Sequence, residues 1–84
     1  MKPIRFSRHA SQNLAFRGAT EEEVSECIRT ADWERSELGR FECRKDFRFG
    51  REWNGKQYDT KQVRPIFVDE PVAIVVVTVY VYYF

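Results

Sequence analysis

The chain has 84 residues, room for one hydrophobic core and not for two, so a single domain spanning residues 1–84 is expected. Fourteen Lys and Arg nearly cancel thirteen Asp and Glu, and the net charge of +1 excludes a global field drawing the protein onto nucleic acid or a membrane surface. Charge is nevertheless segregated. Residues 1–18 carry Lys2, Arg5, Arg8 and Arg17 with no acid, 19–37 are mostly acidic and 38–64 mostly basic, which leaves a local basic surface open.

Pro3 to Phe6 reads as a short extended segment. Ser7 then stands where its hydroxyl can accept from the first free N–H groups of a helix, predicted over Arg8–Arg17 and stopped by Gly18. Thr20 followed by Glu23 is a capping box, with Glu21 and Glu22 suited to the positive end of the helix dipole. Val24, Cys27, Ile28 and Ala31 recur at i, i+3, i+4 and i+7, the buried stripe of a second helix, so Cys27 is most simply a small core residue.

Beyond Trp33 the period falls toward two. Phe41, Cys43, Phe47 and Phe49 alternate with Glu42, Arg44, Asp46 and Arg48, interrupted only by Lys45, and this predicts one half-buried strand that Gly50 ends or bulges. Asn54-Gly55 predicts a tight type I′ hairpin. One or two strands follow over 56–68, a turn at Asp69-Glu70-Pro71, and a last strand over Val72–Phe84. In that strand the odd positions Ala73, Val75, Val77, Val79 and Val81 are expected to face the helices. At 13 residues, with Thr78 and several Tyr, it is too short and too polar for the roughly 20 apolar residues of a membrane-spanning helix. Two cysteines without CxxC spacing, and a polar N-terminus unlike a signal peptide, lead to a reduced, cytoplasmic expectation.

If Val63 and Phe67 join the valine face, alternation sends Gln62 and Arg64 to the opposite, open face with Thr78, Tyr80 and Tyr82, and Tyr58 too if the strand is continuous. Guanidinium matches phosphate bidentately and Tyr offers a stacking plane and a hydroxyl, so this mixture suits single-stranded RNA, although an ordinary solvated sheet face has the same composition. The faces of Trp53, Arg44 and Arg48 stay open across the hairpin. His9, the only histidine, lies in the first turn of helix one, where an imidazole could serve as a general base or be a bystander. No second histidine, HExxH or cysteine cluster points to a metal, no Gly-rich loop to nucleotide phosphates and no GxSxG to a serine nucleophile, so chemistry without metal or cofactor is expected.

Phe6-Ser7-Arg8-His9-Ala10, Arg17-Gly18-Ala19-Thr20-Glu21-Glu22-Glu23-Val24 and the closing Val75-Val76-Val77-Thr78-Val79-Tyr80 together resemble the domain-of-unknown-function family 4258. The segments Trp53-Asn54-Gly55-Lys56 and Lys61-Gln62-Val63 resemble one branch of it, so the resemblance covers nearly the whole chain. Asn13 stands where the family often has Arg, and Ala19 where it usually has Ile. The family is similar in fold to the RelE-like ribonuclease toxins, and some members adjoin genes for zinc-finger antitoxins. The resemblance thus implies an α+β fold with two N-terminal helices packed on one face of a three- to five-stranded antiparallel sheet. It also raises His9, Arg17, Thr78 and Tyr80 above their neighbours, and Lys61, Gln62 and Arg64 to a lesser extent.

The function expected on these grounds is that of a metal-independent endoribonuclease or toxin-like protein, with RNA and a cognate antitoxin as partners. His9, Arg64 and Tyr80 are the candidate catalytic residues; Arg17, Lys61, Gln62, Thr78, Tyr82 and Trp53 are the candidate RNA contacts. The rival expectation is a non-catalytic interaction module, pairing through its C-terminal strand with a partner or as a homodimer.

Overall fold

A computed structural model describes residues 2–84. Strand β1 (Ile4–Phe6) leads into helices α1 (Arg8–Arg17) and α2 (Glu21–Thr30), then β2 (Glu34–Arg35), a 3-10 turn (Glu37–Gly39), β3 (Phe41–Glu42), β4 (Lys45–Trp53), β5 (Lys56–Asp69) and β6 (Ile74–Tyr83). The helices follow from their caps. The Ser7 side chain accepts from Ala10 N, Gly18 closes α1 in the left-handed region at φ 77°, and the Thr20–Glu23 capping box is complete. Such a cap contributes about 1 kcal/mol to a helix.

The fold is α+β, with the helices on one face of a six-stranded mixed sheet ordered β1-β6-β5-β3-β2, while β4 pairs with the other half of the same β5 edge. This differs from a three- to five-stranded antiparallel sheet in two ways. β1 is parallel to β6, a three-residue pairing too short to leave a period in the sequence. The single strand read over Phe41–Phe49 is broken at Cys43 and Arg44 into β3 and β4, at the place where Lys45 spoils the alternation.

The last strand also departs from strict alternation. Pairing with β5 runs Arg64↔Tyr80, Pro65↔Val79 and Ile66↔Thr78, then shifts so that Phe67 meets Val76. Val77 is the extra residue of a bulge, and a one-residue insertion exchanges the faces of everything before it. Val79 and Val81 therefore face the helices as expected, but Val76 and Ile74 take that role upstream, leaving Val75 and Val77 only half-buried. Phe67, Val63, Val76 and Val79 pack beneath Ala10, Leu14, Val24, Cys27 and Ile28 as one core.

β6 is not a free edge. β5 lies on one side, β1 on the other, and past β1 helix α1 takes over: Asn13 Oδ1 accepts from Val79 N at 3.3 Å and Arg17 Nη1 donates to Val79 O at 2.6 Å. Ala10, Asn13, Leu14 and Arg17 form the inward stripe of α1, so two of its polar residues dock the helix by completing the strand's hydrogen bonds. The rival expectation of a C-terminal pairing strand loses most of its edge. The long strand with an unpaired side is β4. No helix of the described residues is long and apolar enough to cross a membrane.

Candidate functional site

The open sheet face gathers Arg64, Tyr80, Tyr82 and Thr78, because Arg64 and Tyr80 are direct cross-strand partners and Gln62 and Tyr82 are the next pair. Arg64 is fixed on three sides. Its Nε donates to Glu42 Oε2 at 2.7 Å, Nη2 to Glu42 Oε1 at 3.0 Å, and Nη1 to the Tyr82 hydroxyl at 3.1 Å. This bidentate fork is the strongest ion-pair geometry available to the two side chains. The Glu42 side chain is only 11% exposed, and Arg44 adds a longer contact at 3.5 Å.

These contacts set the charge state. Hydrogen bonding from Arg64 holds the Glu42 carboxyl below the usual carboxylate range, although burial pulls the other way. Glu42, followed by Tyr82, pushes the Arg64 guanidinium further up. A carboxylate thus persists under a sheet-face arginine at neutral pH, each oxygen keeping a lone pair that Arg64 does not use.

Tyr80 sits between two cations. The Arg17 guanidinium lies 5.2 Å from its ring centroid and that of Arg64 lies 5.5 Å away. Both are cation–π distances, so the ring is engaged by arginine, while no hydrogen bond to its hydroxyl is formed among the described residues. Thr78 donates to Asn13 Oδ1 at 2.6 Å, so Asn13 joins α1 to β6. Beside this cluster the β2–β3 hairpin walls a groove of about 480 Å³, lined by Arg35, Leu38, Arg40, Glu42, Arg64 and Tyr80 among others.

Two candidate RNA contacts, Lys61 and Trp53, lie away from the open face, and a third, Gln62, is on it as alternation places it. Lys61 is 4% exposed and on the helix side: its ammonium donates to Gly18 O at 2.9 Å and to Glu23 Oε1 at 2.9 Å, tying the α1–α2 junction to the sheet. Alternation decides this, since Lys61 precedes Gln62 and must take the opposite face. Trp53 is on the helix side too, stacked on Tyr83 with centroids 4.9 Å apart and close to Gly18, so it is not a base-stacking platform on the open face. Gln62 is on the open face but donates to Asp46 Oδ1 at 2.8 Å.

Tyr58, expected on the open face only for a continuous strand, instead has its ring 5.7 Å from that of Tyr83. Asp59 N and Thr60 N both donate to Phe84 O, a bulge that breaks the alternation of β5. Helix α1, which carries His9, begins at the sheet's rim, where Ser7 N donates to Val76 O and Ser7 Oγ to Val77 O. His9 is exposed there, but it neither lines the groove nor bonds to Arg64 or Tyr80.

Glu42 is the site residue that sequence reasoning missed. Its alternation already put it on the wet side of the strand, but 22 residues separate it from Arg64, and only the β3–β5 register, Glu42↔Ile66, makes them neighbours. Among the described residues no group of three or more His, Cys, Asp or Glu is placed to hold a metal ion. Comparisons with family models, curated proteins and solved structures find no match to this chain.

Proposed function

We propose that the open sheet face binds RNA and cleaves it by attack of the ribose 2′-hydroxyl on the adjacent phosphate. The supporting observation is the cluster itself: a carboxylate held ionised, a three-point-fixed guanidinium and a tyrosine hydroxyl free to donate, all on one exposed face. In this reading Glu42 takes the proton from O2′ as O2′ bonds to phosphorus. Arg64, with Arg17 across the Tyr80 ring, balances the charge of the phosphorane. Tyr80 protonates the departing O5′, giving a 2′,3′-cyclic phosphate and a 5′-hydroxyl.

Each step uses protein side chains alone, so the reaction proceeds in chelator. Tyr82 orients Arg64 through its hydroxyl and keeps an exposed ring for base contact. Glu42 replaces His9 as the general base because Glu42, unlike His9, touches the arginine that would hold the phosphate. The test is incubation of the purified protein with a long RNA in EDTA, with the new ends analysed. Cuts ending in cyclic phosphate, reduced by about 100-fold or more in Glu42→Gln and in Tyr80→Phe, are expected for general acid and base groups. Intact RNA, or cuts unaffected by Glu42→Gln, would reject the reading. Arrest of a bacterial host on expression would extend it to a toxin.

A further inference from the structure

From the groove beside Glu42 we infer a subsite for the base of the nucleotide being cleaved, selective for guanine; the inference rests on the RNA-cleavage reading above. Three observations converge on the β2–β3 hairpin. The groove is about 480 Å³, large enough for one nucleotide, and opens directly onto Glu42 and Arg64. Its wall includes Glu37, whose carboxylate enters no hydrogen bond or ion pair among the described residues, unlike Glu42 and Glu23. At the lip, Leu38 holds a left-handed backbone at φ 59° and is 85% exposed, an apolar side chain kept in water by a conformation that a leucine disfavours.

The chemistry of the free carboxylate selects the base. Two carboxylate oxygens accept two parallel N–H donors, and the Watson–Crick edge of guanine supplies them from N1 and the 2-amino group. Adenine and cytosine each set a ring-nitrogen acceptor beside their amino group, and uracil flanks its single N–H with two carbonyls, so all three bring a lone pair against Glu37. Leu38 offers the apolar contact for the purine plane, and Arg40 on the same wall adds positive charge near the phosphate. The left-handed turn thus sets the carboxylate and the apolar side chain on the groove at adjacent positions.

The experiment measures binding of guanosine, adenosine, cytidine and uridine 3′-monophosphates to the intact protein by amide chemical-shift titration, alongside the cleavage assay. Guanosine 3′-monophosphate is expected to bind at least about fivefold more tightly than the other three, as a bidentate base contact provides. Glu37→Gln should erase that preference while the phosphate contact through Arg64 persists. Cleavage, where present, should follow guanosine.

Equal binding of all four, with Arg64→Ala weakening all four alike, would overturn the guanine assignment and leave the cleavage reading standing. Selective binding abolished by Glu37→Gln, without any cleavage, would uphold the subsite and reject the nuclease. No binding of any nucleotide at millimolar concentration would overturn the subsite outright. A guanine preference unchanged in Glu37→Gln and lost only in Leu38→Ala would overturn the role of the carboxylate.

Discussion

Removing Glu23 should cost far more than losing a helix cap, because Glu23 serves two partners. Its Oε1 accepts from Thr20 N at 2.9 Å, completing the capping box, and also accepts from Lys61 Nζ at 2.9 Å. The Lys61 side chain is 5% exposed, that of Glu23 21%. Glu23→Ala therefore removes a cap worth about 1 kcal/mol and strands a buried ammonium, a loss of roughly 3–5 kcal/mol. Gly18 O still accepts one N–H and water reaches the vacated side, so the lower end applies and the total is about 4 kcal/mol. Lys61→Met keeps the volume and leaves a carboxylate that water can reach, costing about 1–2 kcal/mol. In that background Glu23→Ala removes only the cap, about 1 kcal/mol. Urea unfolding of the four proteins, followed by far-UV circular dichroism, gives the coupling directly, expected near 3 kcal/mol. If Glu23→Ala cost about 1 kcal/mol in both backgrounds, the ion pair would contribute nothing to the fold.

Gly18→Ala places a Cβ 2.5 Å from Tyr83 Oη and 2.7 Å from the Trp53 ring while forcing alanine to φ 77°. A loss of about 2 kcal/mol or more is expected, with a changed near-UV spectrum as the Trp53–Tyr83 stack moves; a loss under about 0.5 kcal/mol would contradict the close approach. Glu42 carries a pH signature. Its folded-state pKa lies below the ordinary value, so its stabilisation is complete above the unfolded carboxyl range, about pH 4.3, and is lost as pH falls through the folded value. The stability gap between wild type and Glu42→Gln should accordingly close in acid, and a gap constant from pH 7 to pH 2 would refute the Arg64 pairing.

Cys27 and Cys43 are 0% and 2% exposed, their sulfurs 3.3 Å apart, and contact with Cys27 together with burial pushes the Cys43 thiol up. Thiol labelling of Cys43 should stay slow even at pH 9 and accelerate only with denaturant. Rapid labelling of the native protein would show that the core opens there.

Local chemistry carried much of the fold. Ser7, Gly18 and the Thr20–Glu23 box define both helices because a cap needs only residues three or four positions away, and the Asn54-Gly55 turn, with φ 51° and 82°, is equally local. Alternation placed Arg64, Tyr80 and Tyr82 on one face, since they lie past the Val77 bulge and on the near side of the Asp59–Thr60 bulge. It failed for Val75 and Val77, and for Tyr58, because a single inserted residue exchanges the faces and leaves no mark in the hydrophobic pattern. Lys61 was open to reading from alternation alone, yet a buried lysine becomes credible only when Glu23 and Gly18 O come within reach from another element.

Glu42 meeting Arg64, and α1 sealing the edge of β6, depend on strand register and helix docking. Those are set by which surfaces exclude water together, a property of the assembled chain that no single segment contains.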